Sequence, residues 1–68
     1  MRILIIDDHA LVREGVALVL RSLKPDAEIV QADTCQGGID AARAQTFDLV
    51  LLDLQLPDMP GFVALERF

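Results

Sequence analysis

Three aspartates carry the chemistry that this sequence can do. Asp7 and Asp8 follow the apolar run Ile3-Leu4-Ile5-Ile6, and Asp53 follows the run Leu49-Val50-Leu51-Leu52. A carboxylate just past such a run is a poor core residue and a good site residue. Three carboxylates in one pocket repel one another, and the arrangement is costly unless positive charge joins it. No arginine or lysine falls in these loops, and helical spacing puts Arg13 on the outer side of its helix. A hard divalent cation is then the natural partner, because Mg2+ takes carboxylate and water oxygens and completes its shell with phosphate. A carboxylate beside such a cation can act as a nucleophile toward a phosphoryl group while the metal neutralises charge. The plainer reading is that Asp7 and Asp8 serve the orphan amides of a helix and Asp53 ends a strand. Capping and metal binding are compatible.

For the three acids to meet, the two apolar runs must be neighbouring strands. Each is too short for a helix and reads as a strand buried on both faces of a parallel sheet. Between them the period changes. From about Ala10 to Leu23, Leu11, Gly15, Val19 and Leu23 form one row, with Val12, Val16 and Leu20 beside it. Arg13, Glu14, Ala17 and Arg21 fall opposite, which predicts an amphipathic helix. Pro25 ends it near Leu23. Glu28 to Ala32 reads as a short strand, and Thr34 as the N-cap of a helix over Cys35 to Gln45. That helix is weak by propensity, with Gly37 and Gly38 in its first turns. Ile39, Ala42 and Cys35 face the core, and Phe47 packs as the chain turns into the third strand. After Pro60-Gly61, residues 62–68 begin another helical pattern with Phe62 and Leu65 on its inner face. The order β-α-β-α-β-α with right-handed crossovers predicts an α/β fold, a flavodoxin-like parallel sheet in strand order 2-1-3. Asp7, Asp8 and Asp53 then share one pocket at the carboxyl ends of adjacent strands, about 4.8 Å apart.

Composition narrows the function classes. The 68 residues permit one domain. Six basic residues and a net charge of −5 leave no footprint for a phosphate backbone, so direct DNA binding is not expected. One cysteine, Cys35, excludes an internal disulfide and reads as a small core residue. No stretch approaches the ~20 apolar residues of a membrane span, and the first run is too short and too acidic at its end for a signal peptide. A soluble, cytoplasmic protein is expected. His9 reads as a half-exposed residue at a helix start, with a ligand or partner-contact role as the alternative. Pro57 and Pro60 shape their loop, and Gly61 marks a turn or helix boundary.

Asp7-Asp8 after an apolar strand, together with Leu51-Leu52-Asp53-Leu54-Gln55-Leu56-Pro57-Asp58-Met59-Pro60-Gly61, resembles a response-regulator receiver domain of two-component signalling. The spellings Asp7-Asp8-His9 and Val12-Arg13-Glu14-Gly15 resemble its LuxR/FixJ-type subfamily of transcriptional regulators. The resemblance implies that Asp53 accepts a phosphoryl group from the phosphohistidine of a sensor histidine kinase. It implies Mg2+ bound directly by Asp8 and Asp53, by Asp7 through water, and by the backbone carbonyl of Gln55. It implies a signalling module rather than an enzyme, with a transcriptional output. A full receiver of this family has five strands and five helices, so residues 1–68 resemble its amino-terminal part, ending in the third helix. The Ser/Thr after the fourth strand, the Lys after the fifth and the DNA-binding domain have no counterpart in this sequence, and impaired phosphotransfer by this stretch is the expectation.

Three rivals remain at this level. A nucleotide-binding α/β domain wants a Gly-rich turn where Asp7-Asp8-His9-Ala10 stands. An aspartate-nucleophile phosphatase of the haloacid-dehalogenase type wants a second Asp at the Gln55 position. A non-signalling half-domain would fold only as an oligomer. The third strand is an apolar edge strand, so a homodimer through that edge, or through an exposed sheet face, is expected.

Overall fold

The computed structural model describes residues 1–60 together with Val63 and Glu66. The helix read over residues 62–68 lies outside the described residues. The elements run β1 (Arg2–Ile6), α1 (Ala10–Leu23), β2 (Glu28–Ala32), α2 (Cys35–Ala44) and β3 (Leu49–Leu52). The strands form a parallel sheet in the order β2-β1-β3, as the apolar runs predict. β1 is central because only a strand flanked on both edges and both faces can be apolar at every inner position. Its Ile3, Leu4, Ile5 and Ile6 are all buried.

Side chains alternate along β1 to opposite faces. Leu4 and Ile6 join Cys35 and Leu56 on the α2 side, with Val30, Ala42, Phe47, Val50 and Leu52 packed around them. Ile3 and Ile5 join Ala17 on the α1 side, with Val16, Leu20, Ile29 and Leu51 around them. One helix thus covers each face, as expected.

The two helices are held differently. At the start of α2, Thr34 Oγ1 accepts from the Gly37 amide at 2.9 Å, so Thr34 is the N-cap the sequence predicts. Asp58 adds what spacing did not suggest. Its two carboxylate oxygens accept from the Cys35 and Gln36 amides, each at 3.0 Å. The first three amides of α2 are therefore all satisfied by side chains, against the usual deficit at a helix start. Gly38 explains itself by packing. A Cβ there would stand 2.7 Å from Ile6 Cγ1 and closer still to Ile6 Cδ1, so only glycine lets α2 sit this close to β1.

α1 corrects two expectations. Its N-cap is His9, with extended backbone and no side-chain cap bond. Asp7 Oδ1 accepts from the His9 amide at 2.9 Å, a local turn that ends before the first helical amides, so neither Asp7 nor Asp8 caps the helix. The inner face also differs. Ala17 is fully buried and Arg13, Val16 and Leu20 are half-buried, while Leu11, Val19 and Leu23 are exposed. The small Ala17, not the longest apolar row, sets the closest approach to the sheet. Lys24 ends the helix, its amide donating to the Leu20 carbonyl, one residue before Pro25. No described helix is long and apolar enough to cross a membrane.

Candidate functional site

Strand register builds the site. Ile6 pairs with Leu52 across β1 and β3, so the next residue on each strand, Asp7 and Asp53, comes off the sheet side by side. The ladder continues through their amides. Asp53 donates to the Ile6 carbonyl at 2.9 Å, and Asp7 to the Ala32 carbonyl at 3.1 Å. Main-chain bonds thus hold the backbones of Asp7 and Asp53 side by side.

Asp7, Asp8, His9 and Asp53 each offer one ligand atom, and these atoms all lie within 4.8 Å of one another. Asp7 is the deepest, its side chain 17% exposed, Asp53 follows at 23%, and Asp8 stands at the mouth at 36%. An open cleft of about 310 Å³ adjoins them, walled by Ile5, Ile6, Val16, Leu51 and Leu52 with Asp7 and Asp53 at its polar end. One oxygen of Asp53 is tied down, since Oδ1 accepts from the Gln55 amide at 2.9 Å, and Oδ2 faces His9 at 4.0 Å. The first contact fixes the rotamer and the second oxygen points toward the cluster, the arrangement a carboxylate nucleophile needs. The Gln55 peptide therefore lies directly against Asp53, in the turn that follows β3.

Positive charge reaches this end of the sheet by two routes. His9 Nδ1 sits 3.0 Å from Asp7 Oδ1 and 3.1 Å from Asp8 Oδ1. The bond to Asp7 is the largest influence on the imidazole and raises its pKa, helped by the charges of Asp8, Asp7 and Asp53. The carboxyl of Asp7 is held below the ordinary carboxylate range, chiefly by the His9 amide, which outweighs the opposing effect of desolvation. The His9 ring and the charge of Arg13 add to the lowering. Arg13 is not on the outer side. Its Nη1 donates to the Asp7 carbonyl at 2.7 Å and its Nε to Gln31 Oε1 at 3.0 Å. It braces the backbone of the site but makes no bond to a site carboxylate. At the opposite end of the sheet Asp26, Glu28 and Asp48 gather around Arg2. There Arg2 pairs with Glu28 at 2.8 Å and donates its amide to Asp48 at 2.7 Å.

The sequence reading named the three acids that the fold brings together and left His9 among minor residues. Its signal was position, directly after the acid pair. Asp58 gave no comparable signal, because its partners lie more than twenty residues away.

The family model for the response regulator receiver domain matches residues 3–68. The chain belongs to the receiver domain family of response regulators. It is 41% identical over 66 residues to the nitrate/nitrite response regulator protein NarL of Escherichia coli, covering 96% of this chain and 30% of that protein. It is 35% identical to the cell cycle response regulator CtrA of Brucella ovis, covering 97% of this chain and 28% of the relative. The chain thus spans less than a third of either. Among solved structures, the receiver domain of the hybrid histidine kinase CckA superposes with a TM-score of 0.86 at 28% identity, over 98% of this chain and 62% of that one. A LuxR-family two-component response regulator from Aurantimonas superposes with a TM-score of 0.81 at 34% identity, over 93% and 45%. The fold is therefore the flavodoxin-like receiver fold. Receiver domains are generally non-enzymatic signalling domains that interact with histidine kinases and bind Mg2+ at an acidic pocket. The donor set described above fits such an ion, since three carboxylates converge where hard cations prefer oxygen.

Proposed function

We propose that Asp53 is the phosphoacceptor of a two-component response regulator, served by Mg2+ held at Asp7, Asp8, Asp53 and the Gln55 carbonyl. The observation that carries this reading is the convergence of the three carboxylates within 4.8 Å at the carboxyl ends of β1 and β3. Asp53 attacks the phosphorus of a kinase phosphohistidine through its untied oxygen. The phosphorus–nitrogen bond breaks, and its electron pair leaves with the imidazole. Mg2+, when bound, offsets the charge of the phosphoryl oxygens. Asp7 and Arg13 keep the end of β1 in place while this happens. Residues 1–68 are the amino-terminal part of the receiver, and the output of the whole protein is control of transcription. Its partner is a sensor histidine kinase, and the chain itself works in the cytoplasm.

The test has two steps. Mg2+ titration should shift the amide signals of Asp8, Asp53 and Gln55 at millimolar metal, and Asp53→Asn should weaken the response. Incubation with a small phosphoramidate donor and Mg2+ should then add one phosphoryl group to the wild-type chain and none to Asp53→Asn. Silence of those amides at millimolar Mg2+ sinks the reading. Hydrolytic turnover of phosphate esters would favour the phosphatase rival instead.

A second reading concerns assembly. Among the described residues β3 is an edge strand, with Leu49 exposed, so its outer amides and carbonyls offer a template for another strand. A homodimer pairing β3 across a two-fold axis would join the sheets of two copies. Sedimentation over a range of concentrations should give a dimer that Val50→Lys dissociates. The net charge of −5 supports no sequence-specific DNA binding by these residues, and a mobility-shift measurement at low salt checks that.

A further inference from the structure

The turn after β3 is held at two points. At its start the Asp53 amide donates to the Ile6 carbonyl. Further on, Asp58 accepts from the Cys35 and Gln36 amides, each at 3.0 Å. Among the described residues, these bonds between Asp58 and the start of α2 are the only hydrogen bonds from residues 54–60 to a helix or strand. The turn follows β3 and α2 follows β2, with β1 between those strands, so Asp58 ties the two outer sides of the sheet together. Leu56 anchors the same stretch, buried with Leu4, Ile6 and Cys35. Pro57 has a fixed φ and stiffens the step from Leu56 to Asp58. Gln55 lies between the two fixed points. It is exposed, and its one hydrogen bond among the described residues is the amide's, to Asp53 Oδ1 at 2.9 Å.

We propose that Asp58 is a positioning residue of the phosphoacceptor site. By tying the turn to α2 it sets the Gln55 peptide, and with it the Asp53 rotamer and the carbonyl offered to Mg2+. The inference rests on the reading that Asp53 and the Gln55 carbonyl hold that ion. α2 has its own N-cap in Thr34, so the turn, which has no other such tie, depends on Asp58 more than the helix does. A carboxylate also suits the positive end of a helix, which makes this a firm attachment for a surface turn.

The test is Mg2+ titration of the full chain, followed through the Asp8, Asp53 and Gln55 amide signals. The chains compared are the wild type, Asp58→Ala, Asp58→Asn and Thr34→Ala. Asp58 is exposed, so its replacement leaves no cavity, and an overlay of the remaining amide signals checks the fold. Thr34→Ala weakens the same helix end without touching the turn. Asn and Ala remove the same charge, but Asn keeps one acceptor oxygen, so the gap between them isolates the bond. The expected result is Mg2+ affinity weakened about tenfold in Asp58→Ala, the lower end for groups that orient metal ligands. Asp58→Asn should fall between Asp58→Ala and the wild type, and Thr34→Ala should match the wild type. The Gln55 amide signal should be displaced in metal-free Asp58→Ala and unmoved in Thr34→Ala. Wild-type binding with Asp58→Ala binding as tightly as Thr34→Ala overturns the proposal while the phosphoacceptor reading stands. Equal weakening in Asp58→Ala and Asp58→Asn traces the loss to charge and also overturns it. Absence of Mg2+ binding by the wild type overturns the two together.

Discussion

α2 meets its side of the sheet with Cys35, Gly38 and Ile39 buried and with its first three amides answered by Asp58 and Thr34. α1 meets the other side with Ala17 alone buried and an N-cap that makes no side-chain bond. Leu11 and Leu23 of α1 stand 86% and 72% exposed. Both helices follow a strand that ends near the site, yet one is fitted to its sheet and the other rests on it. The lesson concerns division of labour. The tightly fitted face holds β1 and the loop after β3 in register. The loosely fitted side carries Arg13, whose guanidinium reaches the Asp7 carbonyl and Gln31, and His9, whose ring reaches the acids. Apolar surface on α1 that this sheet does not use is available to further chain or to a partner.

The glycines give the sharpest way to break the contrast. Gly38→Ala pushes a methyl group into Ile6 and should destabilise the fold by about 1–3 kcal/mol, as overpacking does. Urea unfolding measures it, and an unchanged midpoint would mean that α2 is not closely fitted. Thr34→Ala removes the side-chain cap of α2 and should cost about 1 kcal/mol in the same assay. Gly15→Ala goes the other way. A Cβ there meets nothing within 4 Å, so the substitution should stabilise α1 by about 0.5–1 kcal/mol through propensity alone. A loss of stability would show that α1 has a close neighbour at Gly15 in solution, which an associated second copy would explain.

The smallest effect is one of pH. The amides of Cys35 and Gln36 hold the Asp58 carboxyl below its ordinary value. A carboxyl depressed in the folded state contributes stability above its unfolded pKa, and that contribution fades as pH falls through the folded one. Stability of the wild type should therefore fall more steeply on acidification than that of Asp58→Asn, most visibly below the ordinary carboxylate range. Parallel slopes for the two chains would mean that Asp58 does not hold the loop to α2.

Much of this was legible in the residues. Four-residue apolar runs ended by acids marked β1 and β3, and the order expected from them, with β1 central, is the one observed. Three kinds of detail were not legible, each for a physical reason. α1 is apolar over so much of its circumference that periodicity cannot choose the inner row. The choice falls to Ala17, whose small side chain permits the closest approach. Gly38 registers in sequence as a propensity defect, because its benefit is a contact with Ile6 on another element. Asp58 caps a helix that it follows by more than twenty residues, a distance no capping pattern spans. In the site itself the carboxylates were read from position alone, while His9 needed the turn at Asp7 to be seen before its ring could be placed.

That the acids leave β1 and β3 at equal register has a consequence for the newly made chain. At about 5–20 residues per second, the roughly 45 positions between Asp8 and Asp53 delay the third carboxylate by roughly 2–9 s. During that interval Asp7 and Asp8 are exposed to the cell's cations as a pair, with His9 beside them. The full constellation exists only after β3, the last of the three described strands to be made, has docked on β1. A cation held by all three acids, as proposed, would therefore report completed strand docking.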